Sequence, residues 1–167
     1  MDPKGQGGLL TINKGLCSNC TVLAGRYKLT YADGREALPK DGVYIHHMVS
    51  SDTTKRGVGV IGACGGSATG GAKSLGSAYF IDRGEDSGST ETIFTTPDGK
   101  YNSGFHIGAA PRISMQYDIV NYKNTAQEIY MNLEYEYVEG KVGADAGYTL
   151  KSVTGKRSRF HSIFYHH

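Results

Sequence analysis

The chain has 167 residues, enough to close one hydrophobic core, and its 38% hydrophobic and 20% charged content argues against a disordered chain. A formal net charge of +2 excludes the broad basic surface that phosphate contacts to nucleic acid require. No stretch approaches the roughly 20 apolar residues of a membrane-spanning helix. Met1 to Gly8 (MDPKGQGG) is polar and lacks the apolar segment of a signal peptide, so the start reads as a cut end of a mature form or as a cytosolic terminus.

Twenty-four glycines against four prolines point to many tight turns between short strands. Taken in order, Cys17-Ser18-Asn19-Cys20 comes first, and Cys64 leaves the cysteine count odd. A structural disulfide and a Cys₃His zinc site are both open at this point; no βαβ pattern surrounds the pair to suggest a redox motif. Arg26 to Tyr31 alternates and ends at the turn signal Ala32-Asp33-Gly34. Gly42 to Ser50 (GVYIHHMVS) and Gly57 to Ile61 (GVGVI) are β-branched and read as strands. Gly62 to Ser77 reads as a long glycine-rich loop. Within it, Gly66 to Ser74 misses the phosphate-loop pattern by one residue, since Ala72 stands where the lysine belongs, and strand-like sequence follows where a helix is needed. Ser77 to Asp82 and Glu91 to Thr95 are short predicted strands, and Pro97-Asp98-Gly99 is a turn.

The clearest pattern comes next. Ile113, Met115, Tyr117 and Ile119 alternate with polar residues, and after Lys123 to Gln127 the alternation resumes at Ile129, Met131, Leu133, Tyr135 and Tyr137. Period two with one apolar face is the mark of a half-buried antiparallel strand, and two such runs joined by five polar residues predict a hairpin. Tyr148 to Val153 is a further predicted strand. No run is apolar at i, i+3, i+4 and i+7, so the fold class is all-β: an antiparallel β-sandwich, jelly-roll-like. Residues 1–155 are expected to form this single domain. Residues 156–167 are basic and aromatic, and read as a last strand, a frayed end or a tag-like tail. The basic cluster Lys151, Lys156, Arg157 and Arg159 reads as a solvated face.

Candidate chemistry concentrates on His46-His47 inside an apolar strand. Imidazole nitrogen is a good ligand for copper and zinc, and the soft thioether of Met48 follows directly. Neighbours on a regular strand point to opposite faces, so one metal can use both histidines only if a bulge or a strand end redirects one of them. Without that, one histidine belongs to the core and the other to solvent. His106, after a turn, is a candidate third nitrogen, and His161 a weaker one. There is no G-x-S-x-G elbow, and the carboxylates are scattered.

Gly42 to Val49 (GVYIHHMV) resembles the His-His-Met segment of the first copper domain of the type II copper monooxygenases, the group of peptidylglycine monooxygenase and dopamine β-hydroxylase. The chain is more similar still to the stress-up-regulated nodulin family and its fungal relatives. There a Tyr-x-His-His-Met-like segment is followed by a Gln-x-x-x-Val-Asn-Tyr strand and then by a strand rich in tyrosine and acidic residues. Here these are Gln116 to Tyr122 and Tyr130 to Gly140, and the likeness covers Cys17 to Gly155. The resemblance implies a jelly-roll-like sandwich with a copper ion held by His46 and His47, with His106 or Met48 a candidate third ligand.

Two departures stand out. Asn121 occupies the place of the third histidine, and no His-x-His is present for a second copper. The expected function is therefore a copper-binding domain of the electron-transfer type, not catalytic by itself. Its expected partner is a missing second copper domain or another copy of itself, and its setting secreted or extracellular. The alternative is a non-catalytic extracellular module whose tyrosines face a carbohydrate or a partner protein.

Overall fold

The computed structural model describes residues 5–56, 77–84, 91–96, 98, 100 and 102–146. Among them the strands are β1 (Gly5–Ile12), β2 (Cys20–Tyr31), β3 (Val43–Arg56), β4 (Ser77–Gly84), β5 (Thr92–Ile93), β6 (Ser103–Ile107), β7 (Ile113–Asn121), β8 (Ile129–Glu139) and β9 (Ala144–Asp145). A single 3-10 turn at Pro39–Asp41 precedes β3. One sheet has the order β1-β7-β3-β4; the other has β5-β2-β6-β9, with β8 also paired to β2. All pairings are antiparallel except β6 with β9. The protein is an all-β antiparallel sandwich. No helix among the described residues is long and apolar enough to cross a membrane.

The core lies between the sheets. Val22, Tyr27 and Leu29 of β2 meet Ile45 and Met48 of β3, Phe80 and Ile81 of β4, and Ile113 and Met115 of β7. Phe80, Phe94 and Phe105 form an aromatic cluster with ring centroids 5.0 to 6.1 Å apart. All three rings are fully buried, and each burial is worth about 1.5–3 kcal/mol. The sheets approach closely at Gly25, where a Cβ would stand 2.5 Å from Ile81 Cδ1 and 2.9 Å from Tyr135 Cβ, so only glycine fits.

The predicted hairpin does not form. β7 pairs with β1 and β3 in one sheet, while β8 pairs with β2 in the other, so the polar connection after β7 crosses between sheets. Alternation fixes which face of a strand is apolar but not which strand lies beside it. β8 lies instead along β2, paired from Tyr31 opposite Ile129 to Cys20 opposite Glu139, with Leu133 and Tyr135 packed against the core and Arg26 and Lys28 reaching Glu134 at 3.0 and 2.8 Å. Those two cations hold the Glu134 carboxyl below its usual pKa, Lys28 most of all. β8 is correspondingly open, with Tyr130, Met131, Tyr137 and Val138 exposed.

Other expectations sit closer to the structure. β2 begins at Cys20 rather than Arg26, and the turn that ends it is closed by the Gly34 N–H on Tyr31 O at 2.9 Å. Cys17 and Cys20 form a disulfide, which removes both from the zinc reading. Cys64, His161, the GVGVI segment, Gly62 to Gly76, Pro97, Gly99, Tyr148 to Val153 and the boundary at 155/156 lie outside the described residues.

Two contacts set the strands that matter below. Gly42 takes φ +75°, which favours glycine, and its N–H closes the 3-10 turn on Pro39 O at 2.9 Å before β3 begins. The Tyr122 N–H then bonds Gly42 O at 2.8 Å, tying the start of β3 to the end of β7.

Candidate metal centre

β3 and β7 pair Val43 with Asn121, Tyr44 with Val120 and Ile45 with Ile119, and then His47 with Asp118. His46 has no opposite residue in this ladder. It is the extra residue of a one-residue β-bulge, which bends the strand and re-aims its side chain. On either side the pleat runs regularly. Ile45 and Met48 join the core, while Tyr44 and His47 lie on the other face of the sheet.

The bulge therefore brings the two imidazoles together. Their Nδ1 atoms are 3.3 Å apart and their ring centroids 5.4 Å. Asp118 is directly opposite His47, and its Oδ2 lies 3.2 Å from His46 Nδ1 and 4.0 Å from His47 Nδ1. One donor atom from each of the three residues can be chosen so that all lie within 4.8 Å of one another. Two donors held by one copper or zinc ion at about 2.0–2.1 Å in tetrahedral array are roughly 3.3 Å apart. Two of the three separations match that span, and the third is wider.

Burial decides how Asp118 should be understood. Its side chain is 1% exposed, whereas the histidine side chains are 31% and 35% exposed. Among the described residues neither carboxylate oxygen accepts a hydrogen bond. Val120 and Tyr44 are buried on the same face, one pleat along. On the other flank Asp118 faces Gly7 of β1, which brings no side chain. A buried carboxylate without donors costs several kcal/mol unless a cation or donors compensate it. Here it faces two imidazoles that are each about one third exposed. The residues fit a divalent metal ion: two neutral nitrogen donors, one anionic oxygen and an accessible approach.

The other sequence candidates lie apart. Met48 is fully buried in the core, on the face opposite His47. His106 is on β6 in the second sheet, paired with Thr21. Its Nε2 lies 3.3 Å from Val142 O, and its backbone N–H bonds Asp145 Oδ1 at 3.1 Å. Lys55 also pairs with Asp145 there, and burial pushes its ammonium pKa down, with Asp145 opposing. Asn121 ties the turn after β7: its amide donates to Thr125 O at 3.1 Å, and its Oδ1 accepts the Lys123 N–H at 2.9 Å. The residue that sequence reasoning passed over is Asp118. It occupies a polar slot in the alternation, which looks the same whether the side chain meets water or a site.

The fold is that of a β-sandwich domain, and the comparison with a known protein together with the His46, His47 and Asp118 group supports a copper-related one. Over 124 residues, 74% of its length, the chain is 24% identical to "Probable copper-dependent oxygenase M1" of Phoma sp.. The chain spans 28% of the length of that relative. This similarity supports a copper monooxygenase-like relationship. No protein-family profile matches the chain, and no solved structure matches it.

Proposed function

We propose that the chain is a copper-binding domain whose ligands are His46, His47 and Asp118. The observation that carries the reading is the bulge at His46, which sets two imidazoles on one face beside a buried carboxylate that accepts no hydrogen bond. Copper at such a site would supply one-electron redox chemistry. The chain's own residues divide the work. His46 and His47 offer neutral nitrogens at the solvent side, Asp118 offers the compensating charge from below, and Tyr44 and Val120 keep water from the carboxylate.

In this reading the domain is of the electron-transfer type and works with a second copper site held elsewhere; among the described residues His46, His47 and Asp118 are the group of His, Cys, Asp or Glu placed to hold a metal. Its partner would be a second copper domain or another copy of the chain. Secretion and a jelly-roll-like wiring belong to the same proposal, with the Cys17–Cys20 disulfide in support. A second reading, a binding module presenting tyrosines, draws on the exposed Tyr122, Tyr130 and Tyr137.

Calorimetric titration of the metal-free protein with Cu(II) separates the two. The expected result is one ion per chain, with binding lost in a His46→Ala/His47→Ala variant. Absence of binding, or binding that survives in the variant, would leave the module reading.

A further inference from the structure

We propose that Asp118 makes this site selective for oxidation state, holding copper as Cu(II) in preference to Cu(I). The inference rests on the reading of His46, His47 and Asp118 as copper ligands and goes beyond it.

The argument is one of donor chemistry. Cu(I) is soft and is selected by thiolate and thioether sulfur, whereas carboxylate oxygen suits divalent ions. Among the described residues sulfur is kept from this site. Met48 follows His47 directly, but the pleat turns it into the core, where it is fully buried. Cys17 and Cys20 are consumed by their own disulfide. The third donor in reach is instead a carboxylate oxygen, that of Asp118.

Charge counting points the same way. Two neutral imidazoles and one carboxylate leave a net charge of +1 with Cu(II) and zero with Cu(I). The Coulomb attraction between the carboxylate and the ion is twice as large for the divalent ion at equal distance. Burial magnifies that difference. Asp118 is 1% exposed, its oxygens receive no hydrogen bonds, and Tyr44 and Val120 beside it are buried, so little solvent competes for the charge.

The test measures Cu(II) and Cu(I) affinities separately, by competition with a chelator for each ion, the latter under anaerobic conditions. Wild type is compared with Asp118→Asn and Asp118→His. Asparagine keeps the shape and removes the charge; histidine supplies a softer neutral donor and guards against one variant misfolding. Asp118→Asn is expected to weaken Cu(II) at least about tenfold and to change Cu(I) less than about threefold. Asp118→His is expected to tighten Cu(I). The midpoint potential of the copper couple should then rise in both variants, by about 59 mV for each tenfold of differential affinity. The Cu(II) electron paramagnetic resonance spectrum should change with the loss of the carboxylate donor.

Equal weakening of both ions, or no change in either, overturns the oxidation-state proposal while leaving copper binding in place. Failure of the wild type to bind either ion removes the copper reading itself, and this inference with it.

Discussion

Asp118 is a poor investment for a protein without a metal, since its buried oxygens accept no hydrogen bond. Asp118→Asn is therefore expected to stabilise the metal-free protein, by about 1 kcal/mol or more, since a neutral amide costs less to bury than a carboxylate. Urea unfolding in the presence of a chelator measures it. A loss of stability would mean that the carboxylate is already compensated. His46 and His47 were legible as candidates because adjacent imidazoles in an apolar strand are chemically conspicuous. Asp118 was not, because an aspartate at an alternate strand position reads as solvent-facing. Its partner His47 lies 71 positions earlier in the chain, and only the register of β3 on β7 joins them. Asn121, three residues further on, stands where a ligand was sought and instead serves a turn.

At the scale of the strand, the local pattern located β4, β7 and β8 closely, since two-residue alternation is a local signal, but it missed the first half of β2 from Cys20 to Gly25 and the end of β3 from Ser51 to Arg56. It misassigned the neighbour of β8, because pairing depends on contacts such as Arg26 and Lys28 with Glu134, which lie more than a hundred residues apart. Gly25 marks where these long-range demands are tightest. A Gly25→Val substitution would push a side chain into Ile81 and Tyr135 and against Glu134 O. It is expected to cost about 1–3 kcal/mol or more through overpacking, read as a lowered urea midpoint. An unchanged midpoint would show that β2 and β4 can separate without penalty. The bulge at His46 belongs to this scale too: nothing in a run of apolar and imidazole side chains marks where a ladder will skip a residue.

The whole molecule titrates through its core. Tyr27, on β2 between the sheets, is 1% exposed, and burial pushes its hydroxyl pKa from 10.0 to about 12, with Ser50 pulling weakly the other way. The folded state holds this proton more tightly than the unfolded chain. The associated stability is thus fully present below pH 10 and is lost as the pH rises toward 12. At about 1.4 kcal/mol per pH unit, the loss amounts to roughly 2–3 kcal/mol. Denaturant unfolding at stepped alkaline pH should show it, and Tyr27→Phe should remove that component; a flat profile would contradict it. The ladder around His46 carries a consequence for how such a site is inherited. If His46 were omitted, Ile45 would stay opposite Ile119, His47 opposite Asp118 and Met48 opposite Tyr117, in unbroken register. The second imidazole of the candidate site is thus encoded as one extra codon in a strand that would pair regularly with β7 without it. Related genes could gain or lose His46 by an in-frame insertion or deletion, with no substitution at the remaining positions.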